Sequence, residues 1–197
     1  MKLKSLIVVL LCIVVCSSCE QPPIEAYAVL PQPQEINYVQ GFVKLKDKPM
    51  VVYSNELSNE ALLLASYLKN DFAVEVTLEE GKDKGDVILL LDSTVLPDKK
   101  GGYVLEAAGS RITIKASTPE GVFNGVQTLR QIIKEREGRL TVQKALVTDY
   151  PAFSWRAFML DEGRYFKGKE VVLNLLDRMA EPVSYTHLRA HETGRNL

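Results

Sequence analysis

Cysteine is nearly absent: the 197-residue sequence has three, and all of them (Cys12, Cys16 and Cys19) precede Glu20. From Glu20 onward the chain therefore has no thiol, which excludes disulfides, a cysteine nucleophile and a cysteine-based metal site there. Histidine is as scarce, with His187 and His191 the only two. A formal charge of -1 at pH 7 gives no electrostatic case for nucleic acid or for an anionic membrane surface. No apolar run approaches the roughly twenty residues that span a bilayer. No Gly-rich phosphate loop is present, so a nucleotide cofactor has no support and no cofactor is expected. What remains is 46% hydrophobic and 25% charged, the composition of an ordinary globular protein of one to two domains.

The first residues read as an export signal. Lys2 and Lys4 form a basic head, and Leu6 to Val15 is an apolar run of about ten residues. Cys16-Ser17-Ser18-Cys19 follows, then polar Glu20-Gln21. The run resembles a bacterial lipobox, although Cys16 stands where an aliphatic residue is usual. This predicts a lipoprotein signal over 1–19 and lipidation at Cys19, the alternative being a plain signal cut nearby. The expected location is exported and held at a bacterial membrane by the lipid anchor only.

The other end is expected to be foreign. Val183 to Thr193 resembles, codon for codon, the translation of a transposase adapter used in sequencing libraries. Helical periodicity stops at Pro182 and no strand pattern replaces it. Residues 182–197 are therefore expected to make no defined contacts, and the spacing of His187, His191 and Glu192 is discounted as a metal site.

Between these ends the chain alternates strand-like and helical patterns. Glu35 to Val39, Phe42 to Leu45, Met50 to Tyr53, Val74 to Leu78 and Val87 to Leu91 read as strands. Tyr103 to Glu106 and Arg111 to Lys115 read as a hairpin across Gly109-Ser110. Ser58 to Phe72 is predicted helical with Ser58 as N-cap, and Gly121 to Glu135 is the second helix, closing by Gly138. Strands interleaved with two helices imply an α+β domain over 20–148 with its own core. A strand at Phe158 to Leu160 and a helix from Gly168 to Glu181 begin a second unit over 149–181. Its predicted buried side carries Val171, Val172, Leu175, Leu176 and Met179.

Two stretches carry a family resemblance. Gly102-Tyr103-Val104-Leu105, Ile112-Thr113-Ile114-Lys115-Ala116 and Gly121-Val122-Phe123-Asn124-Gly125-Val126-Gln127-Thr128-Leu129 resemble the end of the non-catalytic N-terminal domain of family 20 β-N-acetylhexosaminidases. Asp149-Tyr150-Pro151-Ala152-Phe153-Ser154-Trp155-Arg156, continuing through Leu160-Asp161-Glu162-Gly163-Arg164, is similar to that family's opening of a catalytic (β/α)8 TIM barrel. Leu30-Pro31-Gln32-Pro33 is a weaker echo of the family's start. Ala157 replaces the usual glycine, and Asn124 a common tyrosine.

The resemblance implies an α+β N-terminal domain followed by the start of the barrel. It implies a retaining glycosidase that removes terminal β-linked N-acetylglucosamine or N-acetylgalactosamine, with the substrate's own acetamido oxygen as nucleophile. It makes Arg164 a substrate-binding residue, its donor fork suiting neighbouring sugar hydroxyls. The family's catalytic Asp-Glu pair lies beyond Glu181, so no catalytic residue is assigned and the chain as written is expected to be inactive. The expected partner is a glycan with a terminal N-acetylhexosamine, with no nucleic acid and no metal. Asp161 and Glu162 come too early for the pair. Phe153 and Trp155 are expected in the core rather than stacked on sugar. Two alternatives stay open: the N-terminal domain of another glycosidase family, or a non-catalytic surface lipoprotein domain that binds glycan or protein.

Overall fold

The computed structural model describes residues 23–81, 83–153, 157–161, 167–180 and 185–189. Its main body is a mixed sheet with two helices on one face. The strands are β1 (Glu35–Lys44), β2 (Met50–Tyr53), β3 (Thr77–Glu80), β4 (Val87–Leu91), β5 (Tyr103–Ala108), β6 (Arg111–Ala116), β7 (Lys134–Arg136) and β8 (Arg139–Asp149). They run in the order β1-β8-β5-β6-β4-β2-β3, with β7 added to β8. The β6, β4, β2 and β3 side is parallel, while β1, β8, β5 and β6 pair antiparallel.

Period-two alternation selects the buried face. Leu105 lies opposite Ile114 and Val147, and Ile114 opposite Leu89, all four fully buried. Against them lie α1 (Ser58–Phe72) and α2 (Pro119–Ile132), which contribute Leu64, Leu68, Val122, Val126 and Leu129 to one continuous core. On the opposite face Glu106, Lys115 and Leu146 are open or half-open to water. The architecture is therefore α+β, as read from the sequence.

Local chemistry explains where elements start and stop. Thr118 caps α2, its hydroxyl accepting from the Gly121 N–H at 3.3 Å, and Pro119 occupies the first turn where no N–H is needed. The β5–β6 hairpin turns through Gly109 and Ser110, with Gly109 at φ +57°.

Several boundaries differ from the sequence reading. Ser58 is the first residue of α1 rather than its cap, because a single 3-10 turn (Asn55–Leu57) leads into the helix. The third strand begins at Thr77 rather than Val74, since Ala73 (φ +56°) ends α1 in a left-handed cap and Val74 donates back to Leu68. The second helix ends at Ile132. Residues 134–136 form β7, which turns through Glu137 (φ +53°) and Gly138 (φ +71°) into β8. Strand β8, eleven residues long, joins β1 to β5 and was not assigned from the sequence.

The second unit contains β9 (Ala157–Asp161) and α3 (Lys169–Ala180). Met179 is buried, but Val171 is 50% exposed, against its assignment to the buried side. Phe153 is likewise 71% exposed rather than in the core, because it follows the main sheet's last strand and packs under neither helix. Residues 185–189 form β10, paired in parallel with β9, so the expectation of no defined contacts for 182–197 does not hold there. The physical reason is that parallel pairing uses backbone groups alone, and the edge of β9 offers them to any segment that α3 returns to it. Among the described residues no helix is long and apolar enough to cross a membrane.

Candidate functional site

The family-like helix motif serves packing. A Cβ on Gly121 would overlap the Gly102 carbonyl oxygen, and one on Gly125 would lie 2.5 Å from Ile114 Cγ2 and 3.1 Å from the Tyr103 ring. Both glycines therefore let α2 lie directly on β5 and β6. Two polar residues that follow Gly125 bond within the fold. Gln127 donates to the Tyr67 hydroxyl at 2.9 Å, and Thr128 Oγ1 meets the Tyr103 hydroxyl at 2.6 Å.

Tyr103 carries this helix's contact to the end of β8. Its hydroxyl donates to Asp149 Oδ2 at 3.1 Å, while Asp149 Oδ1 accepts from the Gln34 N–H at 3.1 Å. Burial, reinforced by the Asp149 carboxylate, pushes the Tyr103 pKa well above the ordinary tyrosine value. The phenol is thus held neutral, as a donor.

A strap, residues 25–34, runs from Gln143 near the start of β8 to Asp149 at its end. The Gln131 side chain accepts from Leu30 N–H at 2.9 Å and donates to Leu30 C=O at 3.1 Å. Gln143, 4% exposed, accepts from Glu25 N–H at 3.2 Å and donates to Val39 and Gly41 carbonyls at 2.7 and 2.9 Å. Those two carbonyls sit in the register shift of β1 between Tyr38 and Phe42, where the ladder leaves them free. The Tyr27 hydroxyl donates to the Gln143 carbonyl, and Glu25 pairs with Lys134 and Arg136.

Between the strap and the chain leaving β8 is a cleft of about 230 Å³. Leu30, Pro31, Pro151 and Phe153 give it apolar walls, and its polar lining includes Gln32, Gln34, Asn124, Gln131, Asp149 and Tyr150. Asn124 donates to the Gly101 carbonyl at 2.8 Å, but its Oδ1 is buried with no donor in reach among the described residues.

Residues 26–150 match the family model for glycosyl hydrolase family 20, domain 2. The chain belongs to glycosyl hydrolase family 20. A β-hexosaminidase of Porphyromonas gingivalis is 31% identical over 161 residues, covering 77% of this chain and 21% of that protein. β-Hexosaminidase subunit A2 of Dictyostelium discoideum is 28% identical over 171 residues, covering 83% of this chain and 31% of its own length. The fold matches the exo-β-N-acetylglucosaminidase of Vibrio harveyi with a TM-score of 0.73 at 22% identity, covering 86% of this chain and 27% of that one. It matches Streptomyces plicatus β-hexosaminidase with a TM-score of 0.70 at 25% identity, covering 87% of this chain and 35% of that one. The chain thus spans about a fifth to a third of the length of these relatives.

Within this family 20 chain, the resemblance motifs that the structure describes prove to be scaffold. Asp161 ends β9 and is half-buried, its backbone opposite Arg189 of β10. Arg164, the predicted substrate residue, lies outside the described residues, as do Glu162, Trp155 and the predicted lipidation site Cys19. Among the described residues no group of three His, Cys, Asp or Glu is placed to hold a metal ion. Sequence reading missed the strap, Gln143 and the cleft. Gln131 and Gln143 carry no sequence signal that sets them apart from the other polar residues of α2 and β8.

Proposed function

We propose that this chain is the N-terminal part of a retaining β-N-acetylhexosaminidase that removes terminal β-linked N-acetylglucosamine or N-acetylgalactosamine from glycans. One observation carries the reading. The matched family 20 domain runs directly into Asp149-Tyr150-Pro151 through Leu160-Asp161-Glu162-Gly163-Arg164, the run that resembles the opening of the family's barrel. The names of the relatives, β-hexosaminidases and a chitobiase, agree with it.

In this reading β9 and α3 are the first strand–helix unit of a TIM barrel, whose active site forms from loops after the strands. Arg164 follows that strand in the sequence, and in this reading its donor fork holds hydroxyls of the terminal sugar. The reaction is substrate-assisted: the acetamido oxygen attacks the anomeric carbon, a Glu protonates the leaving oxygen and an adjacent Asp orients the acetamido group. Both carboxylates belong to sequence beyond Glu181. Residues 1–19 are read as an export signal that leaves a lipid on Cys19, and 182–197 as adapter-derived. Fatty-acid-analogue labelling that persists in Cys19→Ser would remove the anchor from this account.

The test is release of nitrophenol from a nitrophenyl β-N-acetylglucosaminide by the intact gene product. Arg164→Ala is expected to lower kcat/KM by about 10²-fold or more, the order of losing two charge-assisted hydrogen bonds. An active enzyme indifferent to Arg164→Ala contradicts the residue's role, and an inactive intact product contradicts the function.

A further inference from the structure

We propose that the end of the domain carrying the β5–β6 and β7–β8 turns lies against an anionic lipid surface, so that the chain leaves the sheet at Asp149 on the side away from the bilayer. This rests on the reading that Cys19 carries the lipid anchor.

The attachment point is the first reason. Glu25 is fixed at this end: its N–H donates to Gln143 Oε1 at 3.2 Å, and its carboxylate pairs with Lys134 at 2.7 Å and with Arg136. Glu25 stands six positions after Cys19. Fully extended, that stretch reaches about 20 Å at most. A lipid on Cys19 therefore keeps β7 and the first half of β8 close to the membrane surface. From there the strap leads to Asp149, which binds the Gln34 N–H.

Charge is the second. Strand register brings the β5–β6 turn, the starts of β2, β4 and β6 and the β7–β8 turn to one end of the sheet. Lys44, Lys46, Lys48, Arg111, Arg136 and Arg139 are all exposed there. Glu135 and Glu137 share this end, but among the described residues its cations outnumber its carboxylates. The opposite end, level with Asp149, Tyr103, Ala116 and Leu91, carries Glu35, Glu56, Glu80, Asp92 and Glu120. Its loop cations are engaged, Lys99 over the Tyr150 ring at 4.5 Å and Lys100 with Glu120 at 3.8 Å. The formal charge of -1 for the whole sequence conceals this separation.

An anionic headgroup layer attracts the first end and repels the second, within a Debye length of about 8 Å at physiological ionic strength. A modest excess of charge binds weakly from solution. Tethering makes the same contact intramolecular, at an effective concentration on the order of millimolar, so the weak preference sets the orientation. Strand β8 then acts as a riser: its eleven residues, at about 3.3 Å each, lift the exit at Asp149 about 30 Å above the basic end.

No cysteine follows Cys19, so single reporters are clean in a protein that begins at Glu20. The intact gene product from Glu20 onward is held by an N-terminal hexahistidine tag on vesicles containing nickel-chelating lipid, which makes the readout independent of acylation. Ser110→Cys marks the β5–β6 turn and Ser93→Cys the loop after β4, both exposed. Energy transfer from a fluorophore at each position to acceptor-labelled headgroups is measured. In phosphatidylcholine vesicles rich in phosphatidylglycerol, transfer at position 110 should exceed that at 93 by about threefold or more. The ratio should fall by about half or more without phosphatidylglycerol, in about 1 M salt, and in the Lys44→Glu, Arg139→Glu variant. Equal transfer at the two positions, or more at 93, overturns the proposal. So does a ratio that lipid charge and salt leave unmoved. Fatty-acid-analogue labelling of Cys19 separates the two readings. Orientation on nickel lipid with an unacylated Cys19 defeats only the anchor, and an acylated Cys19 without orientation defeats only this proposal.

Discussion

The Tyr103 hydroxyl bridges Thr128 on α2, at 2.6 Å, and Asp149 at the end of β8, at 3.1 Å. One side chain thus ties the helix layer to the point where the chain leaves the sheet. Tyr103→Phe removes the bridge and leaves Thr128 buried without its partner, at a cost of about 1–2 kcal/mol in denaturant unfolding. The pH dependence has a definite sign. The folded pKa lies above the unfolded value near 10, so the folded state keeps the proton longer and stability falls as pH rises above about 10. One such group contributes a slope of up to about 1.4 kcal/mol per pH unit. Unfolding midpoints between pH 9 and 11 should fall less steeply in Tyr103→Phe, and identical slopes would exclude Tyr103 as the source.

Gly125→Ala tests whether the helix motif is scaffold. Its Cβ would meet Ile114 and Tyr103 inside the core, so overpacking should cost about 1–3 kcal/mol. Gly109→Ala, in open space at φ +57°, meets only backbone strain of about 1 kcal/mol. Equal midpoints for the two variants would mean that α2 has room to move away from β5.

Gln143→Leu keeps the volume and removes the hub. The Val39 and Gly41 carbonyls and the Glu25 N–H each lose a partner, and stability should fall by about 2–4 kcal/mol. Hydrogen exchange should rise at residues 25–30 before it rises in β5. Unchanged exchange in the strap would show that Gln131 and Glu25 hold it unaided.

Legibility followed periodicity. Helix Ser58–Phe72 and strands Met50–Tyr53 and Val87–Leu91 were read with the bounds they have, since each shows a clean stripe or an unbroken apolar run. Strand β8 escaped because Thr141, Gln143 and Lys144 interrupt its apolar pattern. Thr141 and Gln143 are buried, but as hydrogen-bonding partners of neighbouring backbone, which is knowable only once β1 and β7 are in place. Residues 134–136 continued a helical composition, and the tight turn at Glu137-Gly138 overrode it. The cleft was illegible for a related reason: it is assembled by segments more than a hundred positions apart. Phe153 was misplaced because apolar character predicts burial without saying whether the covering element is present.

The chain belongs to family 20, and the proposed function locates its chemistry in sequence beyond Glu181. The direct measurement is nitrophenol release from nitrophenyl β-N-acetylglucosaminide by two purified proteins, the 197-residue chain and the intact gene product. The account predicts turnover by the intact product and none above background by the short chain, because positioned acid–base catalysis alone is worth roughly 10²–10⁴-fold. Turnover by the short chain that disappears in the Asp161→Ala, Glu162→Ala double variant would contradict it.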